Sequence, residues 1–117
     1  MSSQLDQQMY ELSTQLSETV NQLKITEANL YAIESEKRRL ELTSKEVESC
    51  DDNAVLYRSV GRMYLKRPKQ QIIHELNQTV SKNTKEGQEY RQKLEQLSKR
   101  RDEVSNNIQE LVSSVKS

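Results

Sequence analysis

The sequence predicts a mainly α fold, a long antiparallel two-helix coiled coil with one β-hairpin at the bend. Three observations carry this expectation. Only 32% of the 117 residues are apolar and 31% are charged, too little apolar surface for a broad core and enough for a narrow stripe. Two heptad seams flank the middle of the chain. Between them the 3.6-residue period gives way to alternation, in a segment that holds one glycine and ends on the chain's single proline.

The first seam steps alternately by four and three through Leu5, Met9, Leu12, Leu16, Thr19, Leu23, Thr26, Leu30, Ile33, Lys37 and Leu40, and eight of these eleven are apolar. That spacing marks a coiled-coil seam rather than a merely amphipathic helix. Ser3 followed by Asp6 resembles a capping box and starts the helix near residue 4. Thr43 with Glu46 repeats the pattern, which predicts a break near Leu42 and a short helical turn over about 44–50.

The second seam runs Ile73, Leu76, Val80, Asn83, Gly87, Tyr90, Leu94, Leu97, Arg101, Val104, Ile108, Leu111 and Val115, ten of thirteen apolar with the tyrosine. Pro68 suits the first helical turn, where a missing N–H costs nothing, so this arm is expected over about 69–116. Each arm would be roughly 60–70 Å long. A connection of about twenty residues favours antiparallel neighbours. Aligned that way, Leu40 meets Leu76, Leu23 meets Leu94, Leu12 meets Val104, Met9 meets Ile108 and Leu5 meets Leu111. Softer layers fall between, where Ile33 faces Asn83, Leu30 faces Gly87 and Leu16 faces Arg101.

The hairpin is expected over about 54–67, set off from the first arm by the turn cluster Asp51-Asp52-Asn53. Gly61 and Arg62 suit a type II′ turn. This register pairs Val60 with Met63, Ser59 with Tyr64, Arg58 with Leu65 and Tyr57 with Lys66. One face then carries Leu56, Val60, Met63 and Leu65, and the other Val55, Tyr57 and Tyr64. A lone two-stranded hairpin is marginal in water, and open edges recruit strands. The hairpin is therefore expected to join an intermolecular sheet or barrel. The expected subunit interface is Val55, Leu56, Tyr57, Val60, Gly61, Met63, Tyr64 and Leu65.

The segment VLYRSVGRMYLKRPKQQIIHEL, with heptad arms on both sides, resembles the β-class subunits of the prefoldin family. The proline of LKRPK departs from the general pattern of that class. The resemblance implies a single prefoldin-like domain over 1–117 in a hexamer of two α-class and four β-class subunits, so that three further β-class chains are partners. It implies hairpins forming a central double barrel with coiled-coil tentacles. It also implies capture of unfolded proteins, notably actin and tubulin, at the tentacle ends, and their transfer to the cytosolic chaperonin without ATP. On the present chain the tips would be Leu5, Met9, Tyr10 and Leu12 on one arm and Ile108, Leu111, Val112 and Val115 on the other. Helix ends fray for want of hydrogen-bond partners, and the thioether of Met9 suits a surface that accepts many shapes.

Other classes fare less well. There is no Gly-rich phosphate loop, no Ser-His-Asp set and no carboxylate pair that this architecture would hold in a pocket, so no enzyme is expected. One histidine, His74, and one distant cysteine, Cys50, do not make a metal site, and no cofactor is expected. Arg58, Arg62, Lys66, Arg67 and Lys69 cluster around two tyrosines, yet 18 acidic residues balance 18 basic ones, which disfavours nucleic acid as a partner. Arg101 in the seam is expected to snorkel, its stem covered and its head in water. No stretch approaches the ~20 apolar residues of a membrane span, the first residues lack the pattern of a signal peptide, and the single cysteine fits a reducing compartment. Cytoplasm is the default location, with the nucleus left open. The competing function is a coiled-coil adaptor or tether without a client-folding role, which would have no use for a hairpin at its bend.

Overall fold

The computed structural model describes residues 2–50, 55–60 and 63–116, with side-chain surroundings for 3–50 and 68–116. Four elements follow in chain order: α1 Ser2–Glu48, β1 Val55–Val60, β2 Met63–Pro68 and α2 Lys69–Lys116. The two strands pair antiparallel from Val55↔Pro68 to Val60↔Met63, with Ser59↔Tyr64, Arg58↔Leu65 and Tyr57↔Lys66 between. This is the register expected from the alternation. The turn assigned to Gly61 and Arg62 and the cluster Asp51-Asp52-Asn53 with Ala54 lie outside the described residues.

The chain divides into two compact units, residues 1–30 with 89–117, and residues 31–88. In the first, Leu23 and Thr19 of α1 are buried, as are Leu97 and Val104 of α2, and Leu5, Met9, Leu12, Leu16, Leu94 and Ile108 are half-buried. These are seam positions, and the residues between them are mainly exposed. The seam admits threonine because the hydroxyl is satisfied within its own helix. The Oγ1 atoms of Thr19 and Thr26 donate to the carbonyls of Gln15 and Gln22, both at 2.7 Å, leaving a methyl group to pack. Thr26, at 1% exposure, is the most deeply buried large side chain described. Arg101 is exposed, with Nε 3.4 Å from Oδ1 of Asp102.

In the second unit the buried positions are Ser44 on α1 and Lys69, Ile72, Leu76, Asn83 and Gly87 on α2. The break expected near Leu42 is absent, and α1 continues unbroken to Glu48. Two causes are visible. The seam steps on from Leu40 to Ser44, buried at 8%, and to half-buried Val47. Thr43, expected to cap a new helix, instead donates its Oγ1 to the Arg39 carbonyl at 2.9 Å, the bond of a residue inside a helix. Pro68 is likewise not in the first turn of α2 but closes β2, opposite Val55. Its fixed φ and missing N–H suit the last residue of a strand as well as a helix start. Ile72, not Ile73, is the buried isoleucine. Counting back from Leu76 the seam steps by four and then three, which places Lys69 in it.

Asn83 is 6% exposed and its Nδ2 has no hydrogen-bond partner. An unmet buried donor costs on the order of 1–3 kcal/mol. Asn83→Leu is therefore expected to raise the melting temperature measured by circular dichroism, and a fall would show that the amide is satisfied in solution. Leu23→Ala should act in the opposite sense. A buried Leu→Ala change costs about 2–5 kcal/mol, and a two-helix seam places it near 2, seen as a lower melting temperature with unchanged helix content at 25 °C. An unaltered melting curve would mean that Leu23 is not buried.

Candidate functional site

Near the chain termini, within the first unit, the ends of the two helices enclose an apolar cleft. Its lining is Leu5, Asp6 and Met9 from α1 with Leu111, Val112, Val115 and Lys116 from α2. The cleft arises from the heptad pattern itself. Leu5 and Met9 are consecutive seam positions on α1, Leu111 and Val115 on α2, and Val112 lies one residue off the seam. Leu5, Met9, Leu111 and Val112 are half-buried, and Val115 is 60% exposed. The opposite charges of Asp6 and Lys116 share the lining. The surface is thus apolar, open and edged by one acid and one base.

A second cleft adjoins it, lined by Gln8, Glu11, Leu12, Gln15, Asn107, Glu110 and Leu111. Leu12 and Leu111 share this lining, and Gln15 and Val104 share that of a third cleft. Leu5 and Leu111, expected to face each other, both line the first.

Of the eight tip residues read from the sequence, five are brought together in the first cleft: Leu5, Met9, Leu111, Val112 and Val115. Leu12 lines the second. Ile108 is half-buried and lines neither. Tyr10 is 73% exposed and also outside both, since it follows Met9 on the helix and so turns away from the seam. In the sequence Asp6 reads only as a capping residue and Lys116 is not singled out, since two charges far apart in the chain carry no joint signal. The eight interface residues of the strands lie outside those whose side-chain surroundings are described, and Gly61 lies outside the described residues altogether.

The junction of helix and strand holds a second polar arrangement that sequence reasoning missed. Lys69 is 7% exposed, and its Nζ donates to the carbonyls of Glu48 at 2.9 Å and Cys50 at 2.8 Å. The ammonium thus does not belong to an exposed basic patch. Cys50 is a free, half-buried thiol whose Sγ donates to the Glu46 carbonyl at 3.4 Å. His74 is exposed on α2. Among the described residues no group of three or more His, Cys, Asp or Glu could hold a metal ion, and no described helix is long and apolar enough to cross a membrane.

Comparison with known proteins adds three findings. The family model described as "Prefoldin subunit" matches residues 7–114. The chain is 26% identical over 102 residues to prefoldin subunit 1 of Tetraodon nigroviridis, covering 87% of this chain and 84% of that protein. Its fold matches the prefoldin β subunit of Thermococcus strain KS-1 with a TM-score of 0.81, at 22% identity, over 88% of this chain and 90% of the other.

Proposed function

The chain belongs to the prefoldin family, and on that premise we propose that it is a β-class subunit of a hetero-hexameric, ATP-independent co-chaperone. Membership implies a chaperone-cofactor role and assembly with other prefoldin subunits. The finer reading is that two α-class and three further β-class chains complete the ring. Its strands add to a shared barrel, and its terminal cleft holds unfolded clients, actin and tubulin by family resemblance, for delivery to the cytosolic chaperonin. It works in the cytoplasm, without cofactor and without catalysing a reaction.

The observation that carries the client reading is the open apolar cleft formed by Leu5, Met9, Leu111, Val112 and Val115. An unfolded chain offers isolated apolar side chains in many shapes. A shallow cleft containing a flexible thioether accommodates them without demanding one geometry. Its affinity for any one side chain is small, because little apolar area is buried. Several subunits presenting such clefts around one cavity gain strength through avidity while each contact stays reversible. The strand pair supports the assembly reading. Two strands alone leave both outer edges with unpaired N–H and C=O groups, which strands of neighbouring subunits satisfy.

Replacing Met9, Val112 and Val115 together with glutamine should leave assembly and helix content intact, since these side chains are half-buried or exposed. Suppression of aggregation of a denatured client should fall severalfold. Full protection by the assembled variant would place client binding elsewhere. The assembly reading has a separate test at the other functional element. Val60→Asp with Met63→Lys puts charge where apolar surface would be covered, which costs several kcal/mol when unpaired. The doubly substituted chain should be lost from the complex on size exclusion while its arms stay helical. Normal incorporation would show that the strands are not the assembly element.

A further inference from the structure

The C-terminal end of α1 has a complete and unusual hydrogen-bond account. A helix leaves its last four carbonyls without intrahelical partners, and many helices meet this with a glycine that reverses the chain. No glycine follows α1 until Gly61. Instead the Lys45 carbonyl accepts from Ser49 N and the Val47 carbonyl from Cys50 N, both at 3.1 Å. The Glu46 carbonyl accepts from Ser49 Oγ at 2.7 Å and from Cys50 Sγ. The Glu48 carbonyl has its partner from beyond the strands, Lys69 Nζ, which also reaches the carbonyl of Cys50. Lys69 is the first residue of α2, directly after the last residue of β2.

We infer that Lys69 is a positioning residue for assembly. Its ammonium pins the exit of α1 to the entry of α2 and so sets the frame from which the strand pair is presented to neighbouring subunits. The chemistry suits the task. A cation at a helix C-terminus meets the negative end of the helix dipole, and charge-assisted hydrogen bonds are short and strong. The four-carbon stem occupies a seam position in register with buried Ile72 and Leu76, so the lysine is held by packing as well as by its head group. With no residue between β2 and α2, the direction of β2 follows from where Lys69 is anchored. Docking strands edge to edge needs their orientation correct before contact, and each immobilised degree of freedom is one that binding need not pay for.

The inference rests on the assembly reading above, and the experiment separates the two. The full chain is titrated against the subunits that co-purify with it, and the concentration for half-assembly is read by native mass. Lys69→Met keeps an unbranched stem and removes the donors. It should raise that concentration about tenfold while circular dichroism shows both helices retained. Ile72→Ala, a buried neighbour without a hydrogen-bonding role, should lower the melting temperature at least as much yet shift assembly less than about threefold. Lys69→Met assembling at the wild-type concentration overturns the inference. So does a loss of helix signal, or assembly shifts that track the melting temperatures of both variants, since the lysine would then contribute stability alone. Failure of the wild-type chain to assemble would instead overturn the assembly reading itself.

Discussion

A chain with under a third of its residues apolar can satisfy the hydrophobic effect only by concentrating those residues on one stripe of each helix. Most other features depend on that constraint. A stripe buries little area per residue, so the helices must be long, and α1 and α2 reach 47 and 48 residues. The outer faces carry no burial requirement and are filled with Gln, Glu, Lys and Ser, which keep helices soluble and individually add little. The exposed pair Lys99–Glu95, at 3.6 Å, is of that kind.

Within so narrow a seam, each polar substitution is felt, and the chain handles its polar residues in two ways. Thr19 and Thr26 return their hydroxyls to their own helix and behave as small apolar residues toward their neighbours. Asn83 has no such recourse, because its amide cannot reach the preceding turn in the same manner, and its Nδ2 stays unpaired. The first device is neutral for packing, whereas the second holds the seam below the stability it could reach.

The two regions are secured differently. At the strand junction every one of the last four carbonyls of α1 is engaged, and a buried lysine ties the two helices. Around residues 5–9 and 111–116 the seam opens into a cleft whose apolar side chains are half-buried or exposed. The prefoldin family model, residues 7–114, covers the strand junction and part of the terminal cleft.

The sequence by itself determined the element types, the strand register and the apolar residues of the terminal cleft. These depend on local periodicity: a spacing of three and four selects a helix face, and alternation with Gly61 at its centre leaves one pairing of the strands. Five of the eight tip residues could be collected this way because seam position and chain end are both legible in one dimension. Tertiary structure alone decided what the pattern leaves degenerate. A regular heptad repeat does not distinguish one alignment of two helices from the next. Thr43 with Glu46 has the local form of a cap, yet buried Ser44 and half-buried Val47 carry the helix past it. Lys69 reads as one more charge in a basic cluster, and only the fold brings a residue 21 positions away to the carbonyl of Glu48. Local pattern specifies which face of an element is buried; the satisfaction of a helix end is a property of whatever the fold brings within hydrogen-bond reach.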